Sequence, residues 1–319
     1  DGVGQATVDL RDGQLVAVPL PGYGGAPVRE GWIEGAGGVK LFYRLAGAAA
    51  DTVIFIHGGP GTGMREGYDF EALTSRGHAL LMYDQRGAGY SEMVNDSGRL
   101  GLEEHVADLA ALVHHFRLTR AKLIGLSWGA AVAARFAAEH PDMVERVAFV
   151  SPISPTGAML NSRFAHLDTV GGRAGAGGLQ GRLRAAAAPV PDSLIQKKCR
   201  ADRTGLYRYG GPHAVAPRGD PCDYPPEVLR NRVVARAAGF ASLGADYDLR
   251  ALLARVRSPA LVTEGEQSNV PLEATRAFAA ALPGGRLVLL PEAGHQAWLD
   301  RPDLFFQLLD EFLKGPAGP

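Results

Sequence analysis

The sequence predicts an α/β fold: a mostly parallel, eight-stranded sheet with helices on both faces and a helical segment inserted before the last strands. Three observations predict it. Short apolar runs near 31–35, 39–46, 52–57, 78–84, 121–126, 145–151, 259–264 and 286–290 read as strands. Helical patterns separate the later runs, and that alternation requires a parallel sheet buried on both sides. Finally, the chain has 319 residues and 46% hydrophobic content, ample for one large core plus an inserted lid.

Taken in order, residues 1–30 carry Pro19, Pro21, Gly22, Gly24, Gly25 and Pro27 and read as an extended arm. The pair Gly31–Glu34 and Val39–Leu45 reads as a hairpin that makes the leading edge of the sheet antiparallel. The predicted catalytic domain comprises 31–152 and 247–319, and 153–246 forms a cap. Within the cap, Gly171–Gly178 is flexible by composition and sits where a lid would hinge. No internal repeat is found.

The most informative stretch is Gly125-Leu126-Ser127-Trp128-Gly129, placed between the apolar run Ala121–Ile124 and the Ala-rich helical segment Ala130–His140. A serine at a strand-to-helix turn sits in strained backbone with its hydroxyl exposed, and glycines on both flanks let the helix close against the strand. Upstream, Asp51–Ile56 runs straight into His57-Gly58-Gly59-Pro60-Gly61, a loop whose N–H groups are left to point at a ligand. Acyl transfer at a serine needs two preorganised donors for the developing oxyanion. Gly59 and Trp128 are expected to supply them, with Gly58 beside the substrate. His57 reads as a brace for its own loop. Downstream, the strand Arg286–Leu290 leads into Pro291-Glu292-Ala293-Gly294-His295, where a general base can reach back to Ser127. His140, before Pro141, reads as a helix end, and His114 and His115 as part of an amphipathic helix.

The loops His57–Gly61, Asp84-Gln85-Arg86-Gly87-Ala88-Gly89-Tyr90-Ser91 and Gly125–Gly129 together resemble the proline iminopeptidase branch of the α/β-hydrolases. The resemblance covers roughly 31–152 and 247–314, and the tryptophan directly after the serine is its most particular feature. It implies Ser127 as nucleophile, His295 as base, and Gly59 and Trp128 as oxyanion donors, in the chain order serine, acid, histidine. In this family the Asp84–Ser91 loop is scaffolding near the site, with Asp84 and Arg86 bracing neighbouring loops.

Two departures stand out. Where the family's seventh strand ends in Gly-x-x-Asp, this chain has Gly265-Glu266-Gln267-Ser268, so Ser268 occupies the aspartate position. Glu266 is the expected acid, since its extra methylene extends its reach. Glu264 is second, with a competing reading as a buried residue of the strand end; a histidine oriented by a neutral group such as Ser268 or Asn269 is third. The other departure is in the cap. From Gly157 to Ala245 there are 13 Lys+Arg against 6 Asp+Glu, in a chain whose net charge is −1. Such a cap argues against a cationic substrate and for an anionic or neutral one, unless Arg230, Arg232 and Arg236 form a solvated face. Asp223 and Glu227 are the cap carboxylates to inspect as ligands of a substrate amine.

The chemistry asks for no metal and no organic cofactor, and the expected partner is a small-molecule or peptide substrate. The small net charge gives no footprint for nucleic acid, and no run approaches the length of a membrane span. Cys199 and Cys222 enclose a Gly-, Pro- and Arg-rich cap segment and are expected to form one disulfide. That pair, and a first residue Asp1 with no apolar leader, suggest an exported protein, with cytoplasmic the alternative. The sequence thus predicts a serine hydrolase, aminopeptidase-like. Esterase, amidase or lactonase activity behind a basic cap is the second reading, a transferase shares every catalytic part, and a binding protein without turnover is the reading of another class.

Overall fold

Five strands in the middle of the sheet expose almost nothing, as a sheet covered on both faces demands. They are β5 (Thr52–Ile56), β6 (Ala79–Tyr83), β7 (Ala121–Leu126), β8 (Val144–Val150) and β9 (Ala260–Gly265). Toward the edges lie β3 (Val28–Glu34) and β4 (Lys40–Ala46) on one side and β10 (Arg286–Leu290) on the other. The chain is seen in a computed structural model that describes residues 8–11, 14–17, 21–170, 190–203 and 208–315.

The sheet order is β10-β9-β8-β7-β5-β6-β4-β3. Pairing is parallel from β10 to β6. β4 is antiparallel to both β3 and β6, so the eight-stranded, mostly parallel sheet expected from the pattern is present with its antiparallel leading edge. The arm is more structured than its composition suggests: β1 (Val8–Arg11) and β2 (Gln14–Ala17) pair as a separate antiparallel hairpin, and β3 begins at Val28. The glycine run Gly171–Gly178 lies outside the described residues.

Helices α1 (Leu102–His115) and α2 (Trp128–Glu139) cover one face, with Leu109, Leu112, Ala130, Ala134 and Phe136 in a core shared with Ile54, Leu81 and Leu123. The small side chains of α2 let it lie close on β7. The opposite face is closed by Phe70, Trp298, Phe305 and Leu309 around Phe55. Between Val150 and Ala260 come α3 (Gly157–Val170), α4 (Asp192–Arg203) and α5 (Pro226–Leu243). Cys199 of α4 is bonded to Cys222, with Cα atoms 5.7 Å apart.

Arg86 ties three segments together from inside. Its Nε and Nη2 donate to the two carboxylate oxygens of Asp108 on α1 at 2.7 Å each, while Nη1 and Nη2 donate to the carbonyls of Arg99 and Ala36. Asp108 also accepts from the N–H of Ala36. Both side chains are buried. Removing one partner of a buried bidentate pair leaves the other charge uncompensated. Asp108→Ala is therefore expected to destabilise the fold by about 3–5 kcal/mol, read as a fall in the urea midpoint at unchanged slope.

Candidate active site

At the C-terminal end of β7 the chain turns so sharply that Ser127 adopts φ 52° and ψ −111°, a conformation L residues rarely take. The turn is held by backbone hydrogen bonds from Ser127 N–H to Val150 O (3.0 Å) and from Ile153 N–H to Ser127 O (3.1 Å). Its flanking glycines are sterically required: a Cβ at Gly125 would lie 2.6 Å from Gly129 O, and one at Gly129 would lie 2.1 Å from Ile56 O. The first turn of α2 is thereby pressed onto the end of β5, where the glycine loop begins.

That loop is braced by buried groups. His57 Nε2 accepts from the N–H of Gln85 at 3.0 Å, and Nδ1 lies 2.8 Å from Gly58 O and 3.3 Å from Gly63 N. Burial lowers its pKa to about 4, so His57 is a neutral brace. Gly58 packs against the Ser127 turn, since a Cβ there would come within 3.3 Å of Ser127 Cβ, and its N–H donates to Glu66 Oε2 at 3.1 Å. Gly59 has φ 126°, and a Cβ would sit 2.7 Å from Gly61 N. Pro60 and Trp128 lie under α5, where Gly239 makes room for the proline ring.

His295 follows β10 in a loop fixed at several points. Ser151 Oγ donates to His295 O at 2.7 Å, the buried Asp300 accepts from Gly294 N–H at 2.9 Å, and Gly265 lets the loop pass with no room for a Cβ beside Ala293 O. The imidazole Nδ1 faces Glu264 Oε1 at 3.6 Å, within ion-pair range and looser than a formed hydrogen bond. Glu264 is completely buried at the end of β9, and Thr275 Oγ1 donates to its other oxygen at 3.4 Å.

Glu266, the acid expected from the sequence, is exposed. Its N–H bonds Leu290 O, and the tight turn closed by Ser268 N–H on Gly265 O carries its side chain to solvent. Ser268 Oγ accepts from Val270 N–H, and Asn269 Oδ1 accepts from Arg163 Nη2 at 3.2 Å, so both neutral alternatives have local partners. The carboxylate beside the histidine is that of Glu264. In the insertion, Glu227 is exposed in the first turn of α5, and Asp223 is exposed and paired with Arg200. The carboxylate next to the elbow is Glu66, which nothing in the motifs singled out. Nor is the basic face uniformly solvated: Arg230 is exposed, whereas Arg232 and Arg236 are half-buried and Arg163 is buried. Asp84, buried among Met64 N–H, Tyr90 N–H and the Tyr224 hydroxyl, braces the loops around it. Among the described residues no group of three or more His, Cys, Asp or Glu is arranged to hold a metal ion, and no helix is long and apolar enough to cross a membrane.

A family model described as the α/β hydrolase fold matches residues 51–211. A proline iminopeptidase of Heyndrickxia coagulans is 23% identical over 301 residues, covering 89% of this chain and 98% of that protein. Another, from Lacticaseibacillus rhamnosus strain Lc 705, is 26% identical over 294 residues, covering 86% and 94%. These relatives bear out the branch that the three loop motifs resemble. Among solved structures, a 2-hydroxy-6-oxo-6-phenylhexa-2,4-dienoate hydrolase from Rhodococcus sp. strain RHA1 superposes with a TM-score of 0.69 at 20% identity over 91% of this chain and all of that one. An esterase from Exiguobacterium antarcticum gives 0.67 at 18% identity over 89% and 99%. Both share the fold.

Burial and the charge of Arg163 hold the His295 pKa below its ordinary value, with Glu264 opposing them in part. The imidazole therefore stays neutral into mildly acid solution. Taking away the neighbouring cation favours the protonated form, so Arg163→Gln is expected to raise the His295 pKa, measured as an upward shift in the NMR titration of its ring protons.

Proposed function

Because the chain belongs to the α/β-hydrolase family, we propose that it is a serine hydrolase working through an acyl-enzyme. His295 Nε2 takes the Ser127 hydroxyl proton as Oγ attacks an amide or ester carbonyl. The backbone N–H groups of Gly59 and Trp128 receive the oxyanion. The imidazolium then protonates the leaving group, and water activated by the same histidine releases the acid. Glu264 orients His295 through Nδ1 and stabilises its charged form. The observation that carries this reading is the pairing of a strained Ser127 elbow with a loop histidine whose Nδ1 faces a buried carboxylate. The helices of 153–246 act as a cap over the site, and the Cys199–Cys222 bond supports an exported protein.

For the substrate, the reading favoured is an aminopeptidase of the proline iminopeptidase kind. Its support is the set of curated relatives and Glu66, a half-buried carboxylate beside the elbow where a substrate ammonium would otherwise lose its hydration without recompense. Hydrolysis of an anionic ester or amide is the second reading, favoured by Arg163 and Arg232, whose charges act on His295 and His57.

Kinetics on free-amino proline anilides, N-acylated anilides and short p-nitrophenyl esters test both. Ser127→Ala should lose on the order of 10⁶ in kcat and Glu264→Gln on the order of 10³–10⁴, while Glu266→Gln stays within about twofold, as exposed substitutions do. An active Ser127→Ala protein sinks the mechanism, and a crippled Glu266→Gln enzyme returns the acid to the loop. Glu66→Gln should raise KM for free-amino substrates and spare N-acylated ones. Dominant turnover of acidic esters in the wild type selects the second reading. Labelling of Ser127 by a fluorophosphonate separates either enzyme from a pocket that binds without turnover.

A further inference from the structure

Both oxyanion donors proposed above belong to segments that meet at one side chain. Gln85, fully buried in the loop after β6, directs its backbone N–H and both polar atoms of its side chain to those segments, while its carbonyl accepts from Ala88 N–H within its own loop. Its backbone N–H donates to His57 Nε2 at 3.0 Å, and its side-chain Nε2 donates to His57 O at 2.7 Å. Its Oε1 accepts from the indole Nε1–H of Trp128 at 3.1 Å. The first two bonds fix the start of the glycine loop, two residues before Gly59. The third fixes the residue whose own backbone N–H is the other donor. The carboxamide offers a donor and an acceptor from a single rigid plane, whereas a carboxylate, which only accepts, would leave His57 O without a donor.

We infer that Gln85 is a positioning residue for the oxyanion hole: it sets the separation of the Gly59 and Trp128 N–H groups by bridging the His57 carbonyl to the Trp128 indole. The inference rests on the serine hydrolase reading. Chemistry explains why this bridge matters more than its hydrogen bonds alone would suggest. Both donors must meet one oxygen that exists only in the transition state, and a misplacement of about 1 Å can cost on the order of 10²-fold in rate. Such a residue acts on kcat, because the ground-state carbonyl makes weaker demands on the hole.

The test compares wild type, Gln85→Met, Trp128→Phe and the double variant on one short p-nitrophenyl ester, with affinity for an alkyl boronic acid that forms a tetrahedral adduct on Ser127. Met preserves the length of the side chain, and Phe keeps the backbone donor and an aromatic ring while losing the indole N–H together with part of the buried ring volume. A fall in kcat of about 10–100-fold in each single variant is expected, with KM within about twofold, boronate affinity falling in step with kcat, and the double variant no worse than the poorer single one. Unchanged kcat in folded single variants, a loss confined to KM, or losses that multiply in the double variant overturn it. If Gln85→Met does not fold, Trp128→Phe decides alone, because its kcat and boronate affinity either fall together or do not. Ser127→Ala run in parallel separates the two failures. Residual turnover there condemns the serine mechanism, whereas an inactive Ser127→Ala beside a fully active Gln85→Met condemns only the bridge.

Discussion

The geometry of this molecule hangs on the approach of one helix to the end of one strand: α2 begins so close to Ile56 O that no side chain fits at Gly129. That contact forces the sharp turn at Ser127, because a gentler path from β7 into α2 would lift the helix off the sheet. The cost is a non-glycine residue at φ 52°, of order 1–3 kcal/mol, and it persists only because the surroundings over-determine it. Central strands buried on both faces provide that rigidity. The backbone bonds from Ser127 to Val150 and from Ile153 to Ser127 then tie the turn to the next strand. The same contact brings the glycine loop beside the serine, so the proposed nucleophile and oxyanion donors are products of one packing constraint.

Features set by local backbone requirements were legible in the sequence. Glycines at positions 125 and 129, and at 58, 59 and 61, announce close approaches, and the strands announce themselves as apolar runs bounded by such loops. The acid was not legible to the same depth. Along an extended strand, residues 264 and 266 share a face, so pattern alone cannot choose between them. What separates them is a turn between Gly265 and Ser268, closed by a hydrogen bond that propensity does not foretell. Glu264 stood second to Glu266 as the expected acid, with inert burial as its competing reading, and it is buried with its carboxylate facing His295. The family's aspartate position misdirected the expectation toward the loop. In the proposed mechanism Glu264 at the strand end takes that place, its carboxylate 3.6 Å from His295 Nδ1. Glu66 and Gln85 were invisible for a different reason, because their partners lie on other segments and neither belongs to a periodic pattern.

Charge within the site is arranged in opposition. Arg163 disfavours protonation of His295 while Glu264 and Glu66 favour it. Arg232 and Glu66 oppose each other at His57 in the same way. A base held neutral by burial and a cation remains available at lower pH. It becomes harder to protonate during catalysis, and the facing carboxylate offsets that difficulty. The arginines of the insertion thus act on the two histidines as well as on whatever occupies the site.

The insertion is joined to the catalytic loops more firmly than a lid on a free hinge would be. Tyr224 donates to Asp84 at 2.9 Å, and Asp84 in turn holds the N–H groups of Met64 and Tyr90. Two residues before Tyr224, Cys222 is bonded to Cys199, whose sulfur accepts from Arg232, and the backbone of Arg232 lies against Gly61 of the glycine loop. The disulfide thus closes a circuit from α4 through Tyr224 and Asp84 to the loop next to the serine, and back along α5. Cross-linking a segment of this length removes about 3 kcal/mol of chain entropy from the unfolded state. The circuit passes through the glycine loop, so that restraint falls on the part of the insertion packed against it. Burial raises the pKa of Asp84 to about 6. A carboxyl whose pKa is higher folded than unfolded costs the fold stability as pH rises through about 6, although the three donors around Asp84 favour its ionised form and so offset part of that cost. The tether between insertion and loops is therefore covalent at one end and held by a buried carboxyl group at the other.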